Sequence, residues 1–247
     1  MSKSNVASTQ QALHDDVQAA VKSILGASSS TALKTTDYSK VLTSTLAATQ
    51  KSVKIQIASG DLTTLKQSGY KLCFAKKVGT EDYNVVWQSY VNYLSNNTFS
   101  WTPQYQLFGS NSFQANVQVD VSTNLVTIGL GQQSILDSSG LLGNATTGGP
   151  DTSITLVNQY GAIHPGVSQL STGIDGKQVA TPIYVAINQV VTGQTVLTPV
   201  ETILVWFEQN VQTSTMFSTS RSQAIEVDLT FDNNATRLYS GGSWTVV

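Results

Sequence analysis

The sequence predicts a mainly β fold: an antiparallel two-layer β-sandwich of about ten strands, preceded by one or two N-terminal α-helices. Three observations carry this. From Ser52 onward apolar residues alternate with polar ones, the period-two signature of a half-exposed strand. From Tyr70 onward short apolar runs are broken repeatedly by Gly, Asn, Asp and Pro. No internal repeat of fixed period occurs, which sets propellers and solenoids aside.

The N-terminal stretch has a different period. Between Ala12 and Leu25, Leu13, Val17, Ala20, Val21, Ile24 and Leu25 recur at spacings of three and four, a helical stripe stopped by Gly26 and the cluster at 28–31. A second helix is expected after Asp37 as N-cap, with Tyr38, Val41, Leu42 and Leu46 on one face. Residues 1–51 therefore read as a helical arm and residues 52–247 as the sandwich domain.

Within the domain, Val53, Ile55 and Ile57 form the inward side of the first strand, and residues 61–67 a helical turn closed by Gly69. Strands are expected at 70–77, 83–90, 98–108, 114–121, 124–133, 153–160, 181–191, 201–212, 223–231 and 235–247, the last a hairpin turning at Gly241 and Gly242. Alternation is complete from Ile225 to Phe231, which places Ile225, Val227, Leu229 and Phe231 inward and Glu226 outward. Residues 202–207 are apolar on both faces, as in a strand covered on each side. The stretch 134–152, rich in glycine, is expected to be a long functional loop or an inter-subunit arm.

Composition narrows the function classes. Charged residues make up 11% of the 247, against about a quarter in ordinary domains. Residues 1–77 hold ten Lys/Arg and four Asp/Glu, a net +6, while residues 78–247 hold three and eleven, a net −8. No Lys or Arg lies between Lys77 and Lys177, which argues against nucleic-acid recognition. No window approaches the 18 apolar residues of a membrane span, and the start lacks the apolar core of a signal peptide, so a cytoplasmic protein is expected, with release by a non-classical route left open. Lys3 and Lys22 suit peripheral contact with an anionic membrane surface.

The inventory for catalysis is thin. Cys73, alone of its kind, lies in an apolar run and is expected to be a buried structural thiol. With His14 and His164 it is too scattered for a zinc site, and His164, preceding Pro165, is expected in a loop. Asp137, Asp151 and Asp232 lack the alternating pattern of a calcium loop. The run from Ile128 to Gly131 has Ser134 where a dinucleotide fingerprint needs its third glycine. Glu201, Glu208 and Glu226 are candidate carboxylates only as every acid is. The reading is therefore of a non-enzymatic protein without metal or cofactor.

One distinctive cluster remains. Tyr83, Trp87, Tyr90, Tyr93, Phe99, Trp101, Tyr105 and Phe108 crowd a short segment free of Lys and Arg. They are read first as sandwich core. A ligand platform is the alternative, with Tyr90, Tyr93, Asn96, Asn97 and Trp244 as a lectin-like recognition patch, because rings beside amides stack sugars and hold their hydroxyls. Low charge, oppositely charged halves and a basic arm favour a self-associating homo-oligomer. A glycan ligand and a membrane-active, pore-forming role stand as the alternatives.

Overall fold

The computed structural model describes residues 50–80 and 83–247. The helices expected within residues 1–49, the greater part of the arm, and His14, Lys3 and Lys22 lie outside the described residues.

The described chain is mainly β. Its elements are β1 (Lys51–Ile57), the helix α1 (Ser59–Gln67), β2 (Lys71–Val78), β3 (Gln88–Tyr90), β4 (Asn96–Ser110), β5 (Val126–Ile128), β6 (Gln132–Leu136), β7 (Thr146–Thr147) and β8 (Ile154–Asn158). There follow β9 (His164–Thr172), β10 (Gln178–Val185), β11 (Gly193–Leu197), β12 (Pro199–Glu208), β13 (Ile225–Asp228), β14 (Asn234–Ser240) and β15 (Ser243–Val246). They form three sheets. The largest runs β10-β9-β4-β1-β14-β15 with β5 attached to β4, and two four-stranded sheets run β13-β12-β2-β3 and β11-β8-β6-β7.

Most ladders are antiparallel, as the strand pattern predicts, but β1–β14 and β6–β8 are parallel. The parallel pairs join strands far apart in sequence, so no local turn signal announces them. β1 is sandwiched between β4 and β14, and Val53, Ile55 and Ile57 are buried as the alternation requires. The chain leaves β1 directly into α1, which Gly69 closes at φ +72°.

The core sits between the largest sheet and the β2–β12 pair. Phe74 of β2 stacks on Phe99 of β4 at 4.3 Å between ring centroids, and Trp87 meets the Phe99 ring edge-on at 5.0 Å. β12 is covered on both faces, as its composition predicts. Ile203 and Val205 enter the main core, while Trp206 joins Cys73, Ala75, Val86 and Phe217 on the opposite side. Cys73 is fully buried there, and desolvation, reinforced by the nearby Glu208 carboxylate, pushes its thiol pKa well up.

Four expectations need correction. Phe231 is 78% exposed rather than inward, because Asp228 Oδ1 accepts from both the Thr230 amide and hydroxyl, a turn that ends β13 three residues early. His164 begins a strand instead of sitting in a loop, and its buried ring bonds through Nδ1 to the Ala186 carbonyl at 2.8 Å. Residues 134–152 are not an open loop. Leu142 bridges back to Leu136, and Thr146–Thr147 pairs with Gln132 and Gln133, with Gly140, Gly148 and Gly149 at positive φ allowing the reversals. Residues 114–121 form no ladder and touch the 214–216 segment through an isolated bridge at Gln118.

Candidate functional site: an aromatic cleft beside the first helix

The five residues expected to form a recognition patch do not share one surface. Tyr93 is fully buried and donates from its hydroxyl to the Tyr70 carbonyl at 3.0 Å, with burial pushing its pKa up to about 12. Asn97 is also buried. Its amide donates to the Leu94 carbonyl at 2.7 Å and its oxygen accepts from the Leu94 N–H at 2.7 Å, so it fastens the turn before β4. Tyr90 is half-buried with its ring edge-on to Phe74, and its hydroxyl lies against Gly173 in the β9–β10 hairpin. Asn96 is exposed at the start of β4, where it accepts from Gln56. Trp244 is half-buried on β15.

What the fold does bring together is Tyr93 and Trp244, on a residue the sequence did not single out. Phe207, near the end of β12 on the same side as Ile203 and Val205, stacks on Trp244 at 5.5 Å with the ring planes 7° apart, and meets Tyr93 at 5.6 Å and Tyr239 at 4.9 Å. Tyr239 in turn meets Trp244 edge-on at 5.0 Å. The run 202–207, apolar on both faces and so without alternation, was the only sign of Phe207's role.

In front of these rings opens a cleft of about 250 Å³, walled by Tyr70, Phe207 and Tyr239 and bordered by Asp61, Thr64 and Gln223. Its position follows from local chain chemistry. Asp61 sits in the first turn of α1, where a carboxylate complements the helix dipole. Its two oxygens accept the backbone N–H groups of Gly241 at 2.9 Å and Gly242 at 3.2 Å, which ties the helix to the β14–β15 turn. The glycines at 241 and 242 adopt φ of +60° and +76°, the left-handed pair a tight hairpin demands. Trp244 Nε1 donates to the Gln223 carbonyl at 2.8 Å and fixes the remaining border. Among the described residues, no Lys or Arg lines the cleft.

A second constellation lies inside the core. Lys76 donates to Glu201 Oε2 at 2.8 Å, and Trp101 Nε1 donates to the same oxygen at 2.7 Å. The Lys76 ammonium also stands 4.8 Å from the Trp101 ring centroid. Desolvation outweighs the ion pair at fully enclosed Lys76 and brings its pKa down to about 8. Glu201 has 26% of its side chain exposed; there burial opposes ionisation but the ammonium and the two hydrogen bonds win, and its pKa is lowered. With no exposed side-chain surface, Lys76 meets no substrate, and the pair joins β2 to β12.

Among the described residues no group of three or more His, Cys, Asp and Glu is placed to hold a metal ion. No helix among them is long and apolar enough to cross a membrane. No family model, no curated protein and no solved structure matches this chain.

Proposed function

We propose that this chain is a non-enzymatic protein that self-associates through its low-charge surface, with the basic N-terminal arm as a further contact. The observation that carries the reading is the edge strand β11. It hydrogen-bonds to β8 on one side and leaves its other edge open among the described residues. An open edge is a template for another strand unless charge, proline, a bulge or shortness blunts it. β10 carries Pro182 and a register break, β13 carries Glu226 and Asp228, and β3 and β7 have three and two residues. β5 and β15 are short as well, with three and four residues.

β11 has none of these devices. It lies in a stretch, residues 178–200, with no Asp, Glu, Lys or Arg. Val196 is 48% exposed and the preceding Val191 71%. Opposite net charges of +6 on residues 1–77 and −8 on the remainder support the arm's part in assembly. The reading takes the largest sheet and the β13-β12-β2-β3 sheet as the two layers of a sandwich, supported by the Phe74–Phe99 stack, and the β11 sheet as the contact surface.

Light scattering on the purified chain tests it. The full chain is expected to run as an oligomer, and Val196→Lys, which places a charge on the open edge, as a monomer. A chain lacking residues 1–36 separates the arm's contribution from that of the edge. A monomeric full chain at all concentrations would remove the proposal.

A further inference from the structure

The cleft beside α1 offers a chemistry that self-association does not use. Three aromatic side chains, Tyr70, Phe207 and Tyr239, wall it, and the Phe207 and Tyr239 planes stand 62° apart. Crossed rings present their electron-rich faces from more than one direction, which suits a rounded cation better than a flat sugar. Among the described residues that line it, Asp61 is the one carboxylate and none is Lys or Arg. Of the basic side chains nearby, Lys66 is placed over the Tyr93 ring at 5.7 Å, and Arg221, which lines an adjoining cleft that shares Tyr70 and Phe207, is paired with Glu208 at 2.9 Å.

The polar groups of the cleft divide into those already engaged and those left free. The Thr64 hydroxyl donates to the Gly60 carbonyl, and both Asp61 oxygens accept glycine amides. The Tyr70 and Tyr239 hydroxyls and the Gln223 side-chain amide have no hydrogen-bond partner among the described residues and are left to hold a hydroxyl carried by the guest, while a methylated ammonium itself needs only aromatic faces and a negative field. At about 250 Å³ the cleft falls just below the roughly 300–1,000 Å³ of drug-sized sites, room for one compact headgroup.

We infer that this cleft binds a quaternary ammonium group, with Tyr70, Phe207 and Tyr239 as the cage and Asp61 as its counter-charge. Trp244, stacked behind Phe207, serves as support and does not line the cleft. The same chemistry occurs in free choline-like cations and in the headgroup of phosphatidylcholine.

The test is calorimetric titration of the full chain with tetramethylammonium, with choline, and with 3,3-dimethylbutan-1-ol, the neutral isostere of choline. Saturable binding of both cations is expected, with the isostere weaker by roughly tenfold. Tyr70→Leu is expected to weaken choline binding by about tenfold, and Tyr70→Phe, which keeps the ring, by less than about twofold. Circular dichroism of each variant confirms that the fold is retained. Equal uptake of the isostere, no cation binding by the folded wild-type chain, Tyr70→Leu binding as wild type, or methyl glycosides displacing choline would each overturn the inference. Sedimentation with phosphatidylcholine and with phosphatidylglycerol vesicles assigns the source. Choline-competed binding to the former marks a lipid headgroup, and choline binding without vesicle binding marks the free cation. Since these readouts concern the cleft and not the mass of the particle, they stand or fall separately from self-association.

Discussion

Lys76 Nζ lies 2.8 Å from Glu201 Oε2, and the Trp101 indole N–H reaches that same oxygen at 2.7 Å, so one carboxylate oxygen holds two donors from two sheets. Removing one member of such a pair strands the other in a poorly solvated place. Lys76→Met is expected to destabilise the fold by about 3 kcal/mol, the low end of the range for buried pairs because Glu201 keeps some exposure. Adding Glu201→Leu is expected to recover most of that loss. Urea unfolding of the two single variants and the double variant measures both, and additivity of the two losses would contradict the account.

Alkaline stability has a predicted shape. In the folded chain burial raises the pKa of Cys73 above 9.0 and those of Tyr83, Tyr90, Tyr93, Tyr105 and Tyr239 above 10.0, with Glu226 also raising Tyr83 through a hydrogen bond. The unfolded chain therefore loses these protons first, and stability falls as pH rises past 9 to 10. Lys76 acts oppositely. Its pKa falls from 10.5 to about 8, so between those values the unfolded chain holds a proton the folded one has released, and stability rises. One lysine roughly offsets one thiol, and five phenols then dominate. Denaturation midpoints are expected to change little up to about pH 9–10 and to drop steeply above pH 10. Ionisation of the Tyr83, Tyr90 or Tyr105 phenol in the folded chain at the pH of free tyrosine, followed by the NMR shifts of each ring, would contradict this.

Gly166 on β9 pairs with Phe108 on β4, and a methyl group placed at Gly166 would collide with the Phe108 ring. Gly166→Ala is expected to cost about 1–3 kcal/mol, as overpacking does, and Phe108→Leu in the same chain to reduce that cost. Thermal unfolding of the single and double variants checks it.

Cys73 has no exposed surface and a raised thiol pKa. It is expected to resist thiol reagents in the native protein and to react fully in denaturant. Rapid modification at neutral pH without denaturant would show that the β2–β12 face opens.

The parts of this fold that could be read from the sequence are those set by side-chain period. β1, β2, β4, β12 and the β14–β15 hairpin follow from alternation, from the doubly apolar run at 202–207 and from the glycine pair at 241–242. What could not be read depends on distant pairing. β9 is half polar, with Ser168, Gln169 and Ser171 buried because β4 and β10 flank it, and no local period marks such a strand. Phe231 followed the alternation yet lies outside, since one Asp228 turn ended the strand. The cleft is harder still. Asp61, Tyr70, Phe207 and Tyr239 come from four segments, and only the parallel joining of β1 to β14 carries α1 to the β14–β15 turn. Lys76 and Glu201, 125 positions apart, carry no pattern that pairs them in advance.

The most direct measurement of the central claim is amide hydrogen exchange along β11, Gly193–Leu197, at two protein concentrations on either side of the oligomer's dissociation. Pairing of this edge with a second copy predicts that exchange there slows as concentration rises, while β10, already blunted by Pro182, exchanges at the same rate in both samples. Exchange along β11 that stays fast and independent of concentration, in a sample shown to be oligomeric, would place the contact elsewhere and contradict the account.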